Sequence, residues 1–318
     1  MKVYLTFDVE VWCRSWAELD ADFPRAFRRY VFGRSSQGDF ALPATLEILA
    51  KHGLHGVFFV EPLFAARFGE NHLRTIVELI QGAGQEVQLH LHPEWTDEIT
   101  PPPIERVASK RQHLSDYDLD EQTTLIAYGL RLLRAAGAEQ VNAFRAGSFA
   151  ANAVTFDALR SNGLTVDSSV DPASAVSVPD LRRSGPIFTP TVIRGISELP
   201  LTVFRDGLGR LRHAQVGACS ALEIQEALES AVRGGAGSFV IVSHNFEMLK
   251  PGREEPDPIV VRRFERLCRT VSSSRELESA GFRTVADVGR DSAPQFMPTV
   301  STRATAIRLV EQLRSRLS

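Results

Sequence analysis

Val87-Gln88-Leu89-His90-Leu91-His92-Pro93 is the stretch on which the reading of this chain turns. On an extended strand alternate side chains share a face, so the run Glu86 to Leu91 carries His90 toward the same side as His92, and Pro93 ends it. A helical pattern, Leu73 to Gln81, precedes it. The same alternation recurs along the chain. Apolar runs at Val3 to Phe7, Gly56 to Val60, Val141 to Phe144, Leu164 to Val166 and Phe239 to Val242 predict strands. Ala44 to His52, Glu121 to Ala136, Ala153 to Ser161 and Ala221 to Arg233 predict helices. Several helices stop at a glycine (Gly53, Gly137, Gly163, Gly281) shortly before the next apolar run. Strand alternating with helix predicts an α/β fold with a mostly parallel sheet. The strands are near-continuous apolar runs, as expected where both sheet faces are covered.

The length of 318 residues suits an α/β barrel with extra segments. Three stretches interrupt the rhythm: Asp20 to Asp39, read as an insertion over the barrel mouth; Pro93 to Asp118, a long loop; and Asp171 to Arg212, irregular with short extended pieces at Thr191 to Arg194 and Ile196 to Phe204. The catalytic barrel is expected over 1–287. A polar linker and an amphipathic helix, Arg303 to Leu317, are expected within 288–318.

A net charge of −3 from 36 basic and 39 acidic residues provides no strong field, which argues against nucleic acid or an anionic membrane surface as the main partner. Cys13, Cys219 and Cys268 are odd in number and far apart, unlike a disulfide framework or a zinc ribbon. The first residues enter a strand directly and no run of about 18 apolar residues occurs. The expectation is a cytoplasmic protein without a membrane span.

Active sites of barrel enzymes form at the carboxyl ends of the strands. The polar residues there are Asp8 and Glu10, His90 and His92, Arg145, Asp167 and His244. Taken singly, a strand-end aspartate or histidine is more often a hydrogen-bonded structural residue; their joint placement weakens that explanation. His90, His92 and one of Asp8 or Glu10 would form a two-histidine, one-carboxylate set for zinc or a similar ion, leaving the other carboxylate as a base. His244 suits an acid that protonates a leaving group. Together they match what metal-assisted hydrolysis of an amide or ester requires.

The order of these motifs resembles that of the polysaccharide deacetylase family, the NodB-homology enzymes of carbohydrate esterase family 4. The resemblance covers roughly residues 1 to 287. It rests on Thr6-Phe7-Asp8, on Gly56-Val57-Phe58-Phe59-Val60, and on Gly84-Gln85-Glu86-Val87 leading into His90 and His92-Pro93. Phe144-Arg145-Ala146-Gly147-Ser148-Phe149, Asp167-Ser168-Ser169 and Val242-Ser243-His244-Asn245-Phe246 complete it. It implies a distorted (β/α)7 TIM-like barrel and a metal-dependent hydrolase of non-peptide carbon–nitrogen bonds, removing an N- or O-acyl group, acetyl above all, from a carbohydrate or glycan precursor. It further implies Asp8 as catalytic base, Arg145 as the residue orienting it, His244 as general acid, Asp167 in support, and Glu10, His90 and His92 as ligands of a divalent ion, expected to be zinc. Two departures stand out. The family has two adjacent aspartates where this chain has Asp8-Val9-Glu10, and its histidines lie four apart rather than two. These leave as alternatives an amidohydrolase of the same fold acting on a small amide, and a non-catalytic carbohydrate-binding relative. Trp12, Trp16 and Trp95 flank the motifs and are candidates for stacking on a sugar face.

Overall fold

The structure is a computed structural model that describes residues 1–106, 109–180, 185–285 and 296–317. The chain divides into two compact units. The first comprises Met1–Gly56, Val203–Ala280 and Phe296–Ser318; the second comprises Val57–Thr202 and Gly281–Gln295.

In the first unit the strand Lys2–Val9 pairs in parallel with Ser238–His244, in a register running from Lys2 opposite Ser238 to Asp8 opposite His244. Val3 through Val9 are all buried, the pattern of a parallel strand covered on both faces. On its other edge Lys2 and Val3 pair with Glu278–Ser279. Helices Leu42–Lys51, Ala221–Arg233 and Pro258–Ser273 belong to the same unit. Ser220 and Glu223 form a capping box at the start of Ala221–Arg233, and the Asp257 carboxylate caps Pro258–Ser273.

The segment expected as an insertion, Asp20 to Asp39, is more ordered than its sequence suggests. It forms the helix Leu19–Phe27, one π-helical turn over Arg28–Phe32, and a two-stranded hairpin at Arg34–Ser35 and Gly38–Asp39. The terminal helix spans Thr302–Leu317. It is anchored by Arg308, whose buried guanidinium donates to Glu223 at 3.0 Å and to Asp206 at 3.0 Å. The linker expected before it lies largely outside the described residues.

In the second unit the strands Gly56–Val60, Glu86–Leu91, Ala143–Ala146, Val166–Asp167 and Ile196–Glu198 pair in parallel in that order, with Thr191–Ile193 antiparallel at the edge. Helices Glu70–Gly82, Leu119–Ala135 and Ala153–Ser161 connect them. The α/β class read from the sequence therefore holds in each unit. The register sets His90 beside Arg145, Phe144 beside Asp167, and Asp167 beside Glu198, which aligns polar residues at successive strand ends. Among the described residues no helix is long and apolar enough to cross a membrane.

Candidate active site

In the first unit Asp8, Glu10 and His244 each offer a ligand atom, all within 4.8 Å of one another. Strand alternation places Asp8 and Glu10 on one side of the chain, and parallel pairing places His244 opposite Asp8. Both carboxylates are buried. The end of the first strand is fixed by Asn245, whose backbone N–H donates to Asp8 O at 3.2 Å. The Asn245 side chain accepts from Glu10 N–H at 3.2 Å, donates back to Glu10 O at 3.3 Å, and also donates to Tyr30 O in the π-helical turn. Trp12 Nε1–H donates to Glu10 Oε2 at 2.6 Å, so this tryptophan orients a carboxylate.

His244 is held by a residue that the sequence reading did not single out. Its Nδ1 lies 2.9 Å from Glu247 Oε1, and because a carboxylate only accepts, Nδ1 carries the proton. Nε2 is then the nitrogen left for chemistry. Glu247 is itself clamped, accepting from Gly217 N–H at 2.6 Å, from Ser243 Oγ at 3.1 Å and from Gln215 Nε2. A Cβ on Gly217 would lie 2.7 Å from Glu247 Oε2, so a larger residue there would displace the carboxylate from its present position. Burial alone would push the His244 imidazole down; the hydrogen bond to Glu247 and the charges of Glu10, Glu247 and Asp8 outweigh it and hold the group up at about 9. A cavity of about 590 Å³ opens beside His244 and Glu247, with Tyr30, Phe246, Gln215 and Lys250 in its wall.

In the second unit the His90 and His92 rings meet edge to face, with centroids 4.8 Å apart at 81°. His90 Nδ1 lies 2.8 Å from Arg145 O, and His92 Nδ1 lies 3.2 Å from Glu94 Oε1. Both partners are acceptors, which places the proton on Nδ1 and turns the lone pair of each ring to Nε2, the arrangement by which an outer hydrogen bond supports a histidine that could hold a metal. Gly147 makes room for this: a Cβ there would fall 2.6 to 2.8 Å from His92 ring atoms. Ser148 and Phe149, the residues after it, have φ values of 54° and 58°. A left-handed conformation at two successive non-glycine residues marks a tightly constrained turn.

Arg145 is fully buried. Its Nε donates to Ser168 O at 3.1 Å, its Nη2 donates to Ser168 Oγ at 3.0 Å, and the guanidinium lies 4.2 Å from the Phe59 ring centroid. Asp167 accepts from Ser169 N–H at 3.0 Å and from Ser169 Oγ at 2.8 Å. Burial raises the Asp167 carboxyl, against hydrogen bonds from Glu198 and Ser169 and the nearby charge of Arg145. Glu198 is raised well above the usual carboxylate range, by burial first and then by the charge of the neighbouring Asp167. Glu61, which caps Leu63 N–H at 2.8 Å, is pushed up to about 8 by burial, although its backbone hydrogen bonds and the nearby His92 act in the opposite direction.

The structure thus groups Asp8, Glu10 and His244 in one unit, and His90, His92, Arg145 and Asp167 at neighbouring strand ends in the other. Glu247, Glu61, Glu94 and Glu198 are the polar residues that the sequence reading passed over. Glu61 directly follows the apolar run ending at Val60, a signal that the strand-end rule would have caught. The carboxylate supporting His244 is Glu247, whereas Asp167 interacts with Ser169, Glu198 and Arg145. Trp95 is 1% exposed and packs edge-on against Phe68, so it serves the core and presents no face to a sugar.

No family model matches the chain, and no curated protein matches it in sequence. Solved structures do share its fold. One, from Mycobacterium smegmatis and provisionally assigned as a polysaccharide deacetylase, is 19% identical, with a TM-score of 0.57 over 88% of this chain and 86% of that one. Another, 4-alpha-glucanotransferase from Thermococcus litoralis, is 11% identical, with a TM-score of 0.53 over 99% of this chain and 46% of that one. A family 4 carbohydrate esterase from Streptomyces lividans aligns over 94% of this chain and 97% of its own at 15% identity and a TM-score of 0.45. The resemblance read from the motifs, and the α/β barrel it implied, are borne out at the level of fold.

Proposed function

We propose that this protein is a metal-dependent hydrolase that removes an acyl group, acetyl above all, from a carbohydrate or sugar conjugate. The observation that carries the reading is the His244–Glu247 pair beside Asp8 and Glu10: an imidazole held protonated up to about pH 9 is a general acid available throughout the neutral range. The donor chemistry suits a divalent ion. His90 and His92 both have Nδ1 occupied by acceptors and Nε2 as ligand atom, and Glu10 is a buried carboxylate. On this reading Glu10, His90 and His92 hold the ion, with zinc as the expected metal. When bound by these residues, a divalent ion would supply Lewis-acid polarisation of the acyl carbonyl and a more acidic water.

The remaining steps belong to the chain's own groups. Asp8 takes the proton from the attacking water, and Arg145 is assigned to orienting it. His244 Nε2–H protonates the departing nitrogen or oxygen, while Glu247 keeps the ring in place and stabilises its cationic form. Ser168 holds the Arg145 guanidinium, and Asp167 supports it through its nearby charge. We also assign the protein to the cytoplasm, a reducing compartment that suits its three free cysteines.

A second reading has one observation in its favour. Asp8, Glu10 and His244 by themselves offer three ligand atoms within 4.8 Å. That set would use His244 as a neutral ligand and would leave the departing group without the acid assigned to it above. The deciding experiment is metal analysis of the purified chain followed by an acetate-release assay on N-acetylated sugars. The reading expects stoichiometric divalent metal retained by the wild type, reduced by His90→Ala or His92→Ala, and retained by His244→Ala without activity. Metal lost in His244→Ala but kept in both other variants would instead select the second ligand set.

A further inference from the structure

The first unit holds a second cavity of about 200 Å³, walled by Arg25, Arg28, Arg29, Arg34 and Glu254. Arg29 is also in the wall of the 590 Å³ cavity beside His244, so the two share a boundary. Their chemistry differs. The larger presents His244 and Glu247 together with Tyr30 and Phe246, whose rings meet edge to face at 4.9 Å and 89°. The smaller sets four guanidiniums against a single carboxylate. Glu254 engages Arg25 at 3.2 Å, and Asp39 lies 3.9 Å from Arg34. Arg28 and Arg29 have no carboxylate partner among the described residues.

The backbone that carries these two arginines is specialised. Arg28–Phe32 forms a π-helical turn, a wide and uncommon geometry often found at functional sites. Asn245 ties that turn to the strand ends by bonding Tyr30 O and Glu10 O together, so Arg29 and Tyr30 are held in fixed relation to Asp8, Glu10 and His244. Asn245 therefore ties the backbone next to Arg29, in the wall of the basic cavity, to the end of the first strand.

We infer that the Arg28–Arg29 cavity binds a phosphate group carried by the substrate, so that the acylated sugar is a phosphorylated or nucleotide-type sugar conjugate. This inference rests on the acyl-hydrolase reading for the position of the sugar, and on the arginine cavity alone for the phosphate. Guanidiniums recognise phosphate through paired charge-assisted hydrogen bonds, and a cleft lined by one sign of charge concentrates the opposite sign. The sugar occupies the larger cavity with its acyl group toward His244. A volume of about 590 Å³ lies within the range of about 300–1,000 Å³ usual for small-molecule sites. Tyr30 and Phe246 supply the apolar wall.

The test uses the full chain in two arms. In the first, inorganic pyrophosphate is titrated calorimetrically into the wild type, into Arg28→Gln/Arg29→Gln and into Arg28→Lys/Arg29→Lys. The expected result is saturable binding by the wild type, weakened tenfold or more in the glutamine variant and largely restored by lysine, with thermal unfolding confirming that each variant folds. In the second, acetate release is compared between N-acetylglucosamine and its 1-phosphate. The wild type is expected to have a KM about tenfold or more lower for the phosphorylated sugar, a preference that the glutamine variant loses and that weakens as ionic strength rises. Acetate release at equal kcat/KM from both sugars would overturn the phosphate inference and leave the hydrolase standing. Pyrophosphate binding of equal strength in the wild type and the glutamine variant would overturn it as well. No acetate release from any acetylated sugar would defeat the hydrolase reading, while the titration would still decide whether the arginine cavity takes phosphate.

Discussion

The two units tune their ionisable groups in opposite ways. In the first, Glu247 accepts from Gly217, Gln215, Ser243 and His244, so its charge is well solvated by the protein and is spent on raising a neighbouring imidazole to about 9. In the second, Glu198 is buried with one carboxyl oxygen, Oε2, lacking any hydrogen-bond donor, and burial beside Asp167 pushes it well above the usual carboxylate range, toward the neutral form. A carboxyl rich in donors acts as an anion, and one short of donors acts as a neutral group. The difference teaches that a strand-end acid cannot be assigned a charge from its residue type, because the donors around it decide.

The strongest test of this contrast is removal of the acid in the first unit. His244→Ala is expected to lower kcat by about 10²–10⁴, with the fold retained, since His244 is a half-buried residue at the end of a strand. Steady-state acetate release checks it, and a loss of less than about threefold would exclude His244 as the proton donor. Next in size is Arg145→Met in the second unit. The guanidinium is fully buried, bonded to Ser168 and beside the Asp167–Glu198 pair. Removing one partner from a buried charged network costs about 3–5 kcal/mol. Denaturant unfolding would show it, and a change below about 1 kcal/mol would mean that Arg145 is not needed to balance these carboxyls.

These residue types were legible in the sequence, but their charge states were not. The strands Gly56–Val60 and Glu86–Leu91 were read at their observed bounds because both are uninterrupted buried runs. The helices Ala153–Ser161 and Ala221–Arg233 were also read at their bounds, each preceded by a capping residue, Asn152 or Ser220. Other elements were obscured by their own sequence. Leu19–Phe27 contains Pro24, which reads as a break, and Pro258–Ser273 interleaves five arginine and glutamate residues with its apolar face. At the site, Asp8, Glu10, His90, His92, Arg145 and His244 could be collected because each ends an apolar run. Glu247 could not, because its role depends on Gly217 and Gln215, which are about 30 positions away in the chain. Trp95 misled for the opposite reason: its place after the histidines suggested a sugar platform, while packing against Phe68 placed it in the core.

Glu247→Gln sharpens the comparison from the side of the first unit. Glutamine keeps the shape and removes the charge, so the His244 pKa should fall from about 9 toward the ordinary value of about 6.5. As a general acid His244 must be protonated, so the alkaline limb of the rate profile should move down in pH, with kcat at pH 7 reduced up to about fourfold. Stability follows the same sign. The imidazole titrates higher in the folded chain than in the unfolded one, so its contribution is complete below about pH 6.5 and is lost as pH rises through about 9. Thermal unfolding between pH 6 and pH 10 should show that loss in the wild type and little of it in Glu247→Gln. An alkaline limb unmoved by the substitution would detach Glu247 from the tuning of His244.

The smallest effect is expected from the matching substitution in the second unit, and it is the one that most directly breaks the comparison. Glu198→Gln replaces a carboxyl that burial pushes toward its neutral form with an amide of the same shape. The oxygen of the introduced amide can still accept from Val170 N–H, as Glu198 Oε1 does at 3.2 Å, and its nitrogen can still donate toward Asp167. The unfolding free energy should therefore change by less than about 1 kcal/mol, well below the several kcal/mol that removing a charged partner from a buried network costs. If Glu198→Gln proves as destabilising as Arg145→Met, Glu198 is an anion paired with that arginine, and the two units tune their acids in the same way.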